Sequence, residues 1–431
     1  MTRNLEAALI VAASVIAGLG VAIVEFAGGS WLDAQVALTL ITFLAAFGGL
    51  HMAIRTWSPS ADPLLLPVTA FLTGVGFIEV YRIDPRLANV QRWSLLVAAG
   101  VGAWVSYVLR SEGVAVLRRY RYLFLAGAVV LLVLPLLPSS WPLHGATVNG
   151  SRLWVRLNLP GLDRALSFQP GEVAKVLLAI FLASYLADRA PAMSVVDRSI
   201  GRLRLPEPRY LAPVAIAAGA AFLVLIYQRD LGASLLIFAL FIVMLYAATG
   251  RAVYLGVGAV LVIVGGVVGY LSFGHVQRRV AGWLHPFADY TDTGYQVAQG
   301  LFALGSGSLT GAGLGLGRPD AIPAATTDYI FAAIGEELGL AGTIAVIAAF
   351  VLLVTIGFGI ALRSRDRFRK FLATGLTALL GIQTALILAG VLRILPVTGI
   401  TLPFLSYGGS SLLASMTTVV LLARISHEER T

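Results

Sequence analysis

The sequence predicts an all-α, polytopic membrane protein of about twelve transmembrane helices with a long extracytoplasmic loop. Three observations carry that expectation. Of 431 residues, 58% are hydrophobic and 12% charged, where a soluble domain carries about 25% charged residues. Apolar runs of about twenty residues recur along the chain, each long enough to cross a hydrocarbon core of about 30 Å. The runs are continuous rather than alternating, and a backbone in lipid must satisfy its own hydrogen bonds, so the spans are helices and not the strands of a barrel.

In chain order the first three spans are expected near 6–28, 33–55 and 63–81, and three more near 93–110, 121–138 and 171–187. A tight group follows near 210–227, 231–249 and 253–273, and the last three cover 329–361, 371–395 and 403–425. The start, MTRNLEAALIVAAS, has a short basic stretch but no A-x-A cleavage signature, and reads as a first span rather than a removed signal peptide. Only two lysines occur, so nearly all positive charge is arginine, clustered in short loops. With both termini inside, the inner loops, among them 109–121, 197–209 and 363–370, hold about nineteen Lys and Arg against about ten outside. The positive-inside bias therefore accounts for the net charge of +9 without a nucleic-acid partner. It also places the two longest irregular stretches, 139–170 and 274–328, on the extracytoplasmic side. No cysteine is present, which excludes disulfides, thiol catalysis and thiolate-bound metals.

Loops this long between spans usually carry function. The 274–328 loop holds Trp283, Phe287, Tyr290, Tyr295 and Phe302, which a disordered linker would not. Its segment GSGSLTGAGLGLGRP (305–319) is glycine-rich but lacks the preceding strand and the Gly-Lys-Ser/Thr of a phosphate-binding loop, so it reads as flexible backbone near a helix mouth. Ionisable groups inside spans are costly and mark function. FQPGEVAK (168–175) puts Glu172 and Lys175 on one helix face, and YQRDLG (227–232) sets Arg229 and Asp230 at a break between spans, at the outer surface. Glu336 and Glu337 lie two turns beyond Asp328 in PAATTDYIFAAIGEELG (323–339), and Arg393 lies late in the eleventh span. Two readings stand open for each group. The charges pair among themselves and hold helices together, or they line an outward cavity for a phosphorylated lipid. Likewise Thr327 or Asp328 either caps free N–H groups at a helix start, or Asp328 acts chemically.

TGITLPFLSYGGSSLL (398–413) closely resembles the signature of the SEDS family of shape, elongation, division and sporulation proteins, the RodA/FtsW/SpoVE-like polymerases. FQPGEVAK resembles the family's FQPSE-x-x-K, NGSRLWV (149–155) its G-A-x-R-W, and YQRDLGASL its QPDLG-T/S-x-L. The long loop presents Arg279, Trp283, Pro286 and Asp289, then YQVAQG with Gln296, then the glycine-rich segment, in the family's order. It closes on TDYIFAAIGEELG, similar to TDFIF-x-x-x-EE-x-G. The resemblance covers about 350 residues and is most like the RodA branch. Departures are Gly171 for Ser, Arg229 for Pro, Ala324 and Thr326 for Glu and His, Ile387 for Asn, the extra Arg393, and Arg152 one place early.

The resemblance implies a ten-helix core over 61–431, preceded by two additional helices in 1–60. It implies a peptidoglycan glycosyltransferase of the cytoplasmic membrane that polymerises lipid II beside a class B penicillin-binding protein, in elongation, division or sporulation. The family's essential Asp maps onto Asp328, the candidate general base. Lys175, Arg152 and Arg229 are candidates to receive the undecaprenyl pyrophosphate. Glu172, Asp230 and Thr327 are expected to bind substrate, and Ser406, Tyr407 and Ser410, with Thr401 beside them, either to line the same cavity or to cap the last span. Glu336, Glu337, Arg279, Gln296 and Pro403 are expected to hold the loop, and Arg278 is assigned to loop or phosphate. No cofactor is expected. The five histidines show no metal-binding spacing, and nothing in the sequence supports a divalent ion between Asp328 and the pyrophosphate. Two rivals remain: a lipid II flippase, which needs cavity charge but no base at the rim, and a noncatalytic scaffold, which needs neither Asp328 nor Lys175.

Overall fold

The computed structural model describes residues 3–29, 34–138, 140–148, 151–157, 166–195, 198–200, 203–205, 219, 228 and 230–431. Fourteen α-helices are described, and nine of them are long and apolar enough to cross a membrane. These are α1 (Arg3–Ala27), α2 (Ala34–Trp57), α3 (Leu65–Ile83), α7 (Pro170–Val195), α8 (Leu231–Thr249), α9 (Val253–Ser272), α12 (Ile330–Arg363), α13 (Arg367–Val391) and α14 (Gly409–Glu428). Two further expected spans are helices of weaker hydropathy or shorter length. In α4 (Pro85–Val108) a polar first half precedes the apolar run, because Asp84 accepts the Arg86 N–H at 2.8 Å and Pro85 starts the helix ahead of it. The other, α6 (Arg121–Val133), follows the short α5 (Ala115–Arg119) and runs on as a 3₁₀ turn to Leu136. The twelfth, near 210–227, lies outside the described residues except for Gly219. The protein is a multi-pass membrane protein.

Both long loops contain regular structure where the sequence showed none. Strands β1 (Leu143–Val148), β2 (Ser151–Leu157) and β3 (Leu166–Phe168) form an antiparallel sheet in the order β1-β2-β3, with a bulge between Ala146 and Val148. A second hairpin pairs β4 (Arg198–Ile200) with β5 (Leu203–Leu205). Strands this short give no readable alternation. The 274–328 loop contains α10 (Gly274–Leu284) and α11 (Tyr295–Gly307).

The chain divides into two units: Met1–Arg110 with Gly265–Ile356 and Gln383–Thr431, and Ser111–Val264 with Gly357–Ile382. In the first, α1 packs on α2 and α3, α2 on α4, and α14 on α4 and α3. The α1 face that turns inward is Ile10, Ala13, Ala17, Gly20 and Val21, a stripe at helical spacing. Buried Arg92 of α4 ties α2 to this unit through Gln35 Oε1 at 2.8 Å and Thr39 Oγ1 at 3.1 Å. In the second unit, α6 and α8 pack on α7 around Ala128, Leu132, Ala174, Leu178, Ala233 and Ile237.

Candidate active site

Asp328 is the half-buried residue two places before α12, in the turn that enters it. Its neighbours in sequence are pinned from the segment before α14. The Ser406 hydroxyl donates to the Thr327 carbonyl at 2.7 Å and accepts the Leu402 N–H at 2.8 Å, while the Tyr407 N–H donates to the Thr326 carbonyl at 2.8 Å. The Thr327 hydroxyl donates to the Ala324 carbonyl at 3.3 Å. Phe404, at φ +67, bends 402–406 into the tight turn that makes these bonds available. Pro403 closes that turn by accepting the Leu405 N–H at 2.8 Å. Gln383 then fixes the preceding residue by donating to the Thr401 carbonyl at 2.7 Å, and the Thr401 hydroxyl donates to Ser411 at 2.8 Å. Tyr407 lies ahead of α14, and burial, with the charge of Asp84 second, raises its phenol above the ordinary value, so it stays neutral. Ser410 is buried in the first turn of α14.

Beyond Asp328, the helix is interrupted. Gly339 adopts φ +65 and ψ −164 inside α12, a conformation open to glycine, and separates a first segment, 330–338, from the rest. A break in a helix strands N–H and C=O groups, which cannot stay unpaired away from water. The glycine-rich segment fills it. The Ala312 and Gly313 N–H groups donate to the Glu336 and Glu337 carbonyls at 2.8 and 3.0 Å, and Leu340 and Ala341 donate to the Ser308 and Leu309 carbonyls at 3.0 and 3.2 Å.

The side chains of the two glutamates complete the grip. Glu337, fully buried, accepts the Gly315 and Gly317 N–H groups at 2.9 and 3.3 Å and pairs with Arg82 Nε at 3.1 Å. Arg82 also donates to the Gly317 carbonyl at 3.0 Å, and Glu336 accepts the Arg318 N–H at 3.0 Å. These carboxylates thus hold backbone. The ends of the long loop are tied too. Arg279 donates to the Val397 and Thr398 carbonyls at 3.3 and 3.1 Å, and Gln296 to the Pro323 carbonyl at 3.2 Å. The extra Arg393 caps the end of α10, donating to the Trp283 and Leu284 carbonyls at 2.8 Å each, while Arg278 is exposed.

The second unit holds the other expected residues. Lys175 Nζ and Glu172 Oε1 form an ion pair at 2.8 Å with both side chains buried. Asp230 is buried, and its carboxylate is turned to the helix start, where it accepts the Ala233 N–H at 2.9 Å and caps α8. Arg152, on β2, donates to the Leu137 carbonyl at 3.1 Å, and its N–H reaches the Gln228 carbonyl at 3.4 Å. Arg229 lies outside the described residues. Among the described residues no cluster of His, Asp or Glu is arranged to hold a metal ion.

Glu79, Tyr81, Arg82 and Asp84, at the end of α3, are not among the expected site residues. The signal was present, since Glu79 is an acid within an apolar run. It is buried, and its Oε1 has no hydrogen-bond partner among the described residues.

The sequence model of the FtsW/RodA/SpoVE cell cycle proteins matches residues 63–431. The chain belongs to this family. A peptidoglycan glycosyltransferase RodA of Mycobacterium tuberculosis is 39% identical over 440 residues, covering 99% of this chain and 91% of that protein. A probable peptidoglycan glycosyltransferase FtsW of a Geobacter species is 34% identical over 388 residues, covering 86% and 97%. Among solved structures, a chain described under structural coordination of polymerization and crosslinking by a peptidoglycan synthase complex matches with TM-score 0.65 and 26% identity, over 86% of this chain and 98% of that one. The FtsW/RodA/SpoVE match therefore spans both units, from α3 to the end of the chain.

Proposed function

We propose that Asp328 is the general base with which this peptidoglycan glycosyltransferase joins lipid II into glycan strands. The chain is an enzyme of that class. Its reaction attacks the anomeric carbon of one lipid-linked sugar with the 4-hydroxyl of another and expels undecaprenyl pyrophosphate. The hydroxyl must lose a proton, and the departing diphosphate must meet positive charge. The observation that supports the assignment is that a half-buried carboxylate sits at the entry of a helix segment tied at both ends, by Ser406 and Tyr407 on one side and by the glycine-rich segment on the other. A carboxylate is a far weaker base than the alkoxide it must help to form, so a fixed position relative to the sugar hydroxyl must supply much of the rate. One carboxylate without a paired nucleophile suits inversion by single displacement.

Lys175 and Arg152 are proposed to supply the positive charge, and because Lys175 is already paired with Glu172, the diphosphate would have to share or displace that partner. In this proposal both termini are cytoplasmic, Asp328 faces outward at the cytoplasmic membrane, and a class B penicillin-binding protein is the partner. The test is strand synthesis from labelled lipid II by the purified protein with that partner. Asp328→Asn is expected to abolish strands while leaving the protein folded. Normal strand lengths and rates from this variant would remove Asp328 from the chemistry and favour translocation or scaffolding.

A further inference from the structure

The first helix, α1, precedes the residues that the family's sequence model matches. Its end nevertheless touches the machinery that holds Asp328. Glu25 sits in the last turn of α1, where an acid opposes the helix dipole and no basic residue offsets it. A residue placed against its own helix is expected to serve something outside that helix. The Glu25 carboxylate accepts a hydrogen bond from the Tyr81 hydroxyl. Tyr81 is buried in the last turn of α3, immediately before Arg82, the residue that grips both Glu337 and the Gly317 carbonyl.

The same end of α1 meets the glycine-rich segment directly. At Gly315, whose N–H is bound by Glu337, an added Cβ would lie 2.7 Å from the Ala27 Cβ and 3.5 Å from the Val24 Cα. α1 is also seated firmly on α3, with Ala17 and Val21 fully buried and the Ala17 Cβ 3.3 Å from where a Cβ on Gly74 would lie. A rigid α1 therefore bounds the segment on one side while Arg82 and Glu337 hold it on the other.

We infer that Glu25 is a positioning residue for glycosyl transfer: through Tyr81 it braces the turn of α3 from which Arg82 holds Glu337 and the glycine-rich segment, and so fixes the helix segment that follows Asp328. This rests on the reading of Asp328 as the base. The helix ahead of the family core is thus part of the active-site support rather than an appended anchor.

The cysteine-free sequence permits a direct readout, because Leu316→Cys, at a position 67% exposed, creates one labelling site on the segment. In this full-length background a nitroxide on the introduced thiol reports segment mobility. Strand synthesis gives kcat and KM for lipid II, and thermal unfolding in detergent reports stability. Glu25→Ala and Tyr81→Phe are expected to raise label mobility and to lower kcat between about tenfold and about a hundredfold, the scale of a small misplacement. KM and the unfolding temperature should be nearly unchanged. Glu25→Gln retains an acceptor for the Tyr81 hydroxyl and is expected to restore both readouts. Unchanged kcat or unchanged label mobility in Glu25→Ala overturns the inference. So does a kcat loss that follows a fall in unfolding temperature and is not rescued by Glu25→Gln. Failure of the Asp328 reading is separate: it would show as strand synthesis by Asp328→Asn, whatever the label reports.

Discussion

Lys175 and Glu172 show how much one pair can conceal at the residue scale. Their contact at 2.8 Å, with both side chains buried, satisfies the charge of each and is by itself a complete structural explanation. Removing one partner leaves the other charge buried and unpaired, which costs about 3–5 kcal/mol, so a single substitution cannot separate structure from chemistry. A neutral pair of similar size can. Lys175→Met alone is expected to lower stability and abolish strand synthesis, and Lys175→Met with Glu172→Gln is expected to recover thermal stability. If the ammonium group meets the departing diphosphate, the double variant should remain about a hundredfold or more below the native rate. Recovery of the rate with the stability would assign the pair to helix packing alone. The sequence made both readings visible through a three-residue spacing, but it could not choose between them. Glu337 was harder still, since its partner Arg82 is 255 residues away in the chain.

At the scale of elements, hydropathy read the helices well because a span of about twenty apolar residues has few alternatives in lipid. It read their ends and interruptions poorly. The α4 helix begins at Pro85 rather than near residue 93 because a local cap, not apolarity, sets its start. α12 was expected as one continuous span because its break falls at a single glycine, Gly339, within a long apolar run, and a glycine alone does not mark a break. The cause is tertiary: the glycine-rich segment supplies the lost backbone partners. Gly339→Ala tests that account. The backbone conformation costs about 1–3 kcal/mol for a residue with a side chain. The new Cβ would also lie 2.7 Å from the Thr310 carbonyl carbon and 2.8 Å from that of Leu309. A clear fall in unfolding temperature and loss of strand synthesis are expected. Gly266→Ala in α9, where an added Cβ meets nothing within 4 Å, should change neither. Equal behaviour of the two variants would show that the break does not hold the site.

At the scale of the whole molecule, charge rather than shape orients the chain. A lipid-exposed helix is compatible with either direction, but each arginine left in a short loop biases that loop to the cytoplasm. The inner set of loops carries about nineteen Lys and Arg and the outer set about ten. The proposed orientation, which follows that asymmetry, has 363–370 and the C-terminal Arg430 inside and the glycine-rich segment outside. The chemistry requires the same direction, because the sugars that Asp328 is proposed to join become strands beyond the membrane. Single introduced thiols decide it, since the chain supplies none of its own. In intact cells a membrane-impermeant maleimide is expected to label Leu316→Cys, and to label Thr431→Cys only after permeabilisation. The reverse pattern would put Asp328 on the cytoplasmic face, where it could not act on an outward-facing substrate, and the proposed reaction would fail with the topology.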